Sequence, residues 1–169
     1  MAGNVKPHPE GYHTITPHIV VRDAAGAIEF YKKALGAKQL GGVFQAPDGK
    51  VMHAELQIGD SRVMLADEFP GRGSCQSPQT LGGSTTSLMI YSENVDRLFN
   101  QAVSAGASVV MPLDNQFWGD RYGQVKDPYG HFWALGQHVE DVAPDEMERR
   151  GKEFFAKMAK GAATKQAVS

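Results

Sequence analysis

The chain repeats itself. Its 169 residues hold Thr16-Pro17-His18-Ile19-Val20-Val21, then Asp23 and the helical-looking AAGAIEFYKKALGA; further on they hold Thr86-Ser87-Leu88-Met89-Ile90-Tyr91, then Glu93-Asn94 and VDRLFNQAVSAGA. Both helical stretches close on Gly-Ala, at Gly36-Ala37 and Gly106-Ala107, about 70 residues apart. Val63-Met64-Leu65 precedes Trp133-Ala134-Leu135 by the same interval. A self-similar period of this size marks a duplicated supersecondary unit, and each half reads as strand, helix, then three strands. The expected fold class is α+β. Two βαβββ modules form a curved, cup-shaped mixed sheet with the helices outside, and a C-terminal helix follows.

Local chemistry supports this division. Val95, Leu98, Phe99, Ala102 and Val103 follow the i, i+3, i+4, i+7, i+8 spacing of a helix with one apolar stripe, and Ala24, Ala27, Ile28, Tyr31, Ala34 and Leu35 do much the same. Asp23 and Asn94 stand where an N-cap is needed, and Gly36 and Gly106 suit helix stops. Pro47-Asp48-Gly49 and Gly59-Asp60-Ser61 bracket the run VMHAELQI, and Asp127-Pro128-Tyr129-Gly130 has the residues of a type I turn. The expected organisation is a first module over 14–69, a Gly/Pro/Ser-rich linker over 70–84 and a second module over 85–142. A helix over 143–160 and a flexible tail over 161–169 complete it.

Period-2 alternation assigns strand residues to faces. Met52, Ala54, Leu56 and Ile58 form an apolar row, which leaves His53, Glu55 and Gln57 opposite. Thr16, His18 and Val20 oppose Ile19 and Val21; Met64 and Ala66 oppose Val63 and Leu65. In the second module Ser87, Met89 and Tyr91 oppose Leu88 and Ile90, and Phe132, Ala134 and His138 oppose Trp133 and Leu135. The apolar rows suit the helices. The mixed rows suit a concave surface of the kind that receives small molecules.

Composition removes other classes. Seventeen Lys and Arg against nineteen Asp and Glu give a formal charge of -2, without the basic excess that a nucleic-acid backbone attracts. No window approaches the roughly 18 consecutive apolar residues of a membrane span, and the first residues hold no apolar signal core. The lone Cys75, near Arg72 in sequence, fits a reducing compartment, so a cytoplasmic location is expected.

The stretches AIEFYKKALGA, HAELQIGDSRVMLADEFP, FWGDRYGQVKDPYGHFWALGQHVEDV and PDEMERR resemble the vicinal oxygen chelate superfamily. Among its groups the similarity is to the PhnB-like glyoxalase/bleomycin-resistance branch. The superfamily includes glyoxalase I, extradiol dioxygenases, fosfomycin-resistance proteins and bleomycin-binding proteins. Its enzymes hold a divalent metal with His and Glu at four positions of the cup, and the metal polarises vicinal substrate oxygens. By register those positions fall here on Thr16, Met64 or Ala66, Ser87 and Ala134, none of them an imidazole or a carboxylate.

The resemblance therefore implies a metal-independent binder of a small organic molecule, with no cofactor expected and a homodimer as the usual assembly. The candidate ligand-binding residues are Thr16, His18, His53, Glu55, Met64, Ser87, Met89, Trp118, Arg121, Tyr122, Phe132 and Ala134. The aromatics around Trp118 would stack on a ligand and Arg121 would anchor an anion; alternatively Asp120 and Arg121 form a surface pair. An enzymatic alternative is a lyase or dioxygenase binding Zn, Ni, Mn or Fe through the shifted set His18, His53 and Glu55. A drug-sequestering resistance protein is another. Direct acid/base partnership between His53 and Glu55 is not expected, since i and i+2 on a strand sit about 7 Å apart.

Overall fold

A computed structural model describes residues 6–71 and 75–166, with side chains through Lys160. The first module runs β1 (His18–Val21), α1 (Ala24–Leu35), β2 (Lys38–Gln45), β3 (Val51–Ile58) and β4 (Ser61–Asp67). After α2 (Pro78–Leu81) the second runs β5 (Ser87–Tyr91), α3 (Val95–Ala105), β6 (Ser108–Asn115), β7 (Asp120–Lys126) and β8 (Phe132–His138), and α4 (Pro144–Gln166) ends it. Each module is a four-stranded mixed sheet, ordered β1-β4-β3-β2 and β5-β8-β7-β6. The first strand pairs in parallel with the last, and the other pairs are antiparallel. The two βαβββ modules and the mixed pairing are as expected, and each module carries its own four-stranded sheet, since no described strand of one pairs with a strand of the other.

The helices begin and end where the cap chemistry directs. Asp23 accepts from the Gly26 amide and Asn94 from the Arg97 amide, and both helices stop on left-handed glycines, Gly36 and Gly106. The two sheets share one apolar core. Ile28, Tyr31, Leu56 and Leu65 of the first module are continuous with Val95, Phe99, Val125, Trp133 and Leu135 of the second. The alanines of α1 let it approach α3, and Gln101 Nε2 donates to the Lys33 carbonyl at 2.9 Å.

Three local expectations change. Val51, not Met52, is buried. Phe44 pairs with His53 while Gln45 pairs with Val51, so a bulge at Met52 reverses the alternation. The linker contains the short helix α2, capped by the buried Ser77. The C-terminal helix continues to Gln166 instead of stopping at 160, and 167–169 lie outside the described residues. Gly151, which weakens that helix in isolation, is buried against Phe117: a Cβ there would lie 3.4 Å from Phe117 Cε2.

Candidate functional site

Strand register sets the open face of the first sheet. His18 pairs with Met64, Met64 with Glu55 and Glu55 with Leu40, so their side chains form one row, with Gln57 and Arg62 paired beside it. Glu55 is the centre of a polar cluster. His53 Nε2 donates to Glu55 Oε1 at 3.2 Å, and Arg62 Nη1 donates to Oε2 at 3.0 Å. The backbone spacing of i and i+2 residues therefore does not keep these two groups apart, because their side chains lean together on the same face. Tyr12 completes the cluster, its ring 4.5 Å from the Arg62 guanidinium. Hydrogen bonding from Tyr12, then His53 and Arg62, holds the Glu55 carboxyl below the usual carboxylate range, and Glu55 pushes the Tyr12 phenol up. Burial, with His53 nearby, lowers His18. Tyr12 was not legible as a site residue, since it precedes any patterned strand. Arg62 was legible by parity with Met64.

The second face has a different chemistry. Ser87, Phe132 and Lys126 form one row, Met89, Ala134 and Gln124 the next, and Tyr91, Gly136 and Tyr122 a third. Gln124 Nε2 donates to Ser87 Oγ at 3.1 Å. Beyond these rows lies Asp120, 5% exposed, which accepts from Tyr91 Oη at 3.0 Å, Trp118 Nε1 at 3.1 Å and His138 Nδ1 at 2.8 Å. Burial opposes its ionisation, yet the bonds from His138, Tyr91 and Trp118 hold its pKa below the ordinary value. His138 Nε2 also faces Asp141 Oδ1 at 2.9 Å. With a carboxylate facing each ring nitrogen, the doubly protonated ring is favoured, and Asp141 and Asp120 raise the His138 pKa above its ordinary value.

Arg121 belongs to the opposite side of β7. It makes two bonds to Asp96 at the start of α3, at 2.6 and 2.8 Å, so it neither lines the open face nor pairs with Asp120. Alternation within β7 separates the two neighbours: Asp120 shares a face with Tyr122, while Arg121 turns toward the helix.

Two cavities lie between the modules. One, of about 620 Å³, is lined by His13, Ile15, Arg62, Met89, Tyr91 and Trp133 among others. The other, of about 510 Å³, includes His18, Cys75, Thr86, His131 and Phe132. Of the expected site residues, Met89 borders the first and His18 and Phe132 the second. His53, Glu55 and Tyr122 stand on the open faces outside both. Cys75 is exposed, and Arg72 lies outside the described residues.

A family model described as the Glyoxalase/Bleomycin resistance protein/Dioxygenase superfamily matches residues 11–135. The chain belongs to this superfamily. An uncharacterized protein of Mycobacterium bovis is 47% identical over 150 residues, covering 88% of this chain and 94% of that one. Among solved structures, TioX from Micromonospora sp. ML1 is 27% identical with a TM-score of 0.59, covering 75% of this chain and 99% of that one. A PhnB protein from Bacillus cereus, 19% identical with a TM-score of 0.55 over 74% of this chain and 99% of its own, shares the fold.

Superfamily enzymes need nitrogen and carboxylate donors at the four cup positions, and the residues here do not fit. Thr16 spends its hydroxyl on the His13 carbonyl at 3.0 Å, Ser87 carries a hydroxyl, Met64 a thioether and Ala134 a methyl. Nor does the shifted set His18, His53 and Glu55 converge. His53 and Glu55 do meet, but the second Glu55 oxygen is held by the Arg62 guanidinium, and no group of three His, Cys, Asp or Glu among the described residues is arranged to hold a metal. No helix among the described residues is long and apolar enough to cross a membrane.

Proposed function

We propose that this superfamily member binds a small organic molecule at the open faces and adjoining cavities of its two modules, without chelate chemistry at a divalent metal. The observation that carries this is the donor set. At the positions where chelation needs imidazole and carboxylate, the side chains are Thr16, Met64, Ser87 and Ala134. Two hydroxyls, a thioether and a methyl can line a ligand surface, with hydrogen bonding confined to the hydroxyls; this is not the imidazole and carboxylate set that holds a Lewis-acidic ion.

A second copy of the chain completes the arrangement in this proposal. Each sheet leaves apolar side chains in the open, among them Phe44, Met52, Met89 and Val110, and among the described residues each has two edge strands paired on one side only, β1 and β2 in the first and β5 and β6 in the second. Covering those faces turns two shallow surfaces into enclosed ones, which is what a small ligand needs to lose most of its contact with water.

Two measurements test the function. Metal analysis of protein exchanged against Zn, Ni, Mn and Fe should find substoichiometric ion, and a thermal-shift screen of small aromatic and aliphatic molecules should find stabilising ligands. One metal per chain, lost on Glu55→Ala, would overturn the proposal. The mass in solution from light scattering should be twice that of the 18.3 kDa chain.

A further inference from the structure

We infer that the open face of the second module is a preorganised stacking platform for a planar aromatic molecule, with the Tyr91 ring as its floor. This rests on the small-molecule reading above and names the ligand's class.

Tyr91 is 64% exposed, more than an aromatic kept for core packing. Yet it is held at its far end. It starts on β5, and its hydroxyl reaches Asp120 on β7 at 3.0 Å, so the ring spans the intervening strand β8. The residue beneath it is Gly136, paired with Tyr91 on one side and Tyr122 on the other. Gly136 does not have a left-handed φ, so backbone conformation gives no reason for a glycine here. Space does. A Cβ at this position would lie 2.4 Å from the Met89 methyl and 3.5 Å from Tyr91 Cε1, so the Tyr91 ring lies in contact over this position, with no room beneath it for a side chain longer than a methyl, and the glycine also leaves space for the end of Met89.

The surroundings extend the platform. Trp118 donates to the same Asp120 oxygen at 3.1 Å and meets the Tyr122 ring edge-on at 5.7 Å. One buried carboxylate thus orients two rings, and His138 Nδ1 bonds its other oxygen at 2.8 Å. Holding exposed rings still before a ligand arrives removes an ordering cost from binding. Met89 and Tyr91 also border the cavity of about 620 Å³, a volume typical of sites for drug-sized ligands. The polar groups at the rim of that cavity are mixed, with His13, Asp60, Ser61 and Arg62, so shape and stacking set the preference more than net charge.

The experiment compares naphthalene-1-acetate with its saturated decahydro counterpart, two carboxylates of similar bulk that differ in planarity. It uses calorimetry for affinity and the methyl signal of ¹³C-labelled Met89 for location. Expected is a preference of about tenfold for the planar probe, with the Met89 methyl moved upfield by its ring current. Tyr91→Leu should abolish the preference, and Gly136→Val, whose methyl groups have no room beneath the ring, should reduce it severalfold even if the first variant fails to fold. Tyr91→Phe, which keeps the ring and loses its anchor, should retain part of it. Equal affinities for both probes, or a preference that survives Tyr91→Leu, would overturn the platform while leaving small-molecule binding intact. Binding of neither probe at millimolar concentration would overturn the platform and count against the binding reading too.

Discussion

The hydroxyl of Tyr31 donates a 2.7 Å hydrogen bond to Asp127 Oδ2, joining the first helix of one module to the β7–β8 turn of the other across 96 residues of sequence. The same oxygen accepts from Trp133 Nε1 at 2.9 Å, and Asp127 Oδ1 accepts from the Tyr129 and His131 amides. A carboxylate buried to 4% exposure is thereby satisfied on every side. It shapes its own turn and locks the modules together.

Tyr31→Phe removes the intermodule bond without opening a cavity and leaves Asp127 its other donors. The expected loss is about 1.5–3 kcal/mol, the range for a hydrogen bond to a charged group. Urea unfolding monitored by circular dichroism measures it; a midpoint unchanged from wild type would show that the bond contributes nothing net.

His138 carries a pH dependence whose sign follows from its partners. Asp141, then Asp120, raises its pKa above the ordinary 6.5. A group with a raised folded-state pKa contributes stability that is complete below the unfolded value and is lost as pH rises through the folded one. Stability should therefore fall as pH climbs through the interval above 6.5. In Asp141→Asn the His138 midpoint, followed by imidazole proton NMR, should move back down.

Glu55 has the opposite sign. Its lowered pKa contributes stability present above the ordinary carboxylate value and lost as pH falls through the folded-state one. Glu55→Gln should flatten that acid limb and bring the Tyr12 phenol down toward 10, read from ring-carbon NMR. A Tyr12 titration that ignores the substitution would mean the two groups do not interact in solution.

Phe117 is the attachment of the C-terminal helix. Its ring meets Phe154 at 5.3 Å and Phe155 at 6.3 Å, and it covers Gly151. Arg150 adds bonds to Glu140 at 2.7 and 2.8 Å. Phe117→Ala should weaken docking of α4 by about 1–2 kcal/mol of lost apolar burial. Hydrogen exchange should quicken along Glu146–Met158 and stay unchanged in β3 and β8; uniform exchange across the chain would contradict a local anchor.

How much of this was written in the chain differs from element to element. The duplication, the helix caps at Asp23 and Asn94 and the strand faces around Glu55 and Met89 are local facts, set by repeat, capping chemistry and alternation. Where a local rule was broken, the expectation broke with it. One bulge at Met52 exchanged the buried residue for Val51, because an extra residue in a strand reverses every face beyond it.

The site divides along the same line. Residue types at the chelating positions were legible, since they depend only on register within each module. The partnerships were not: Tyr12 with Arg62, Arg121 with Asp96, and Asp120 with Tyr91 and His138 arise from side chains that reach across strands or between distant segments, while His53 with Glu55 and Trp118 with Asp120, each two residues apart, depend on how the side chains lean. The amino-acid sequence by itself determined a duplicated α+β chain of this superfamily and which residue types stand at Thr16, Met64, Ser87 and Ala134. Only tertiary structure decided which groups meet, because a hydrogen bond depends on where two atoms lie in space, and alternation along one strand says nothing of what the neighbouring strand or loop brings to it.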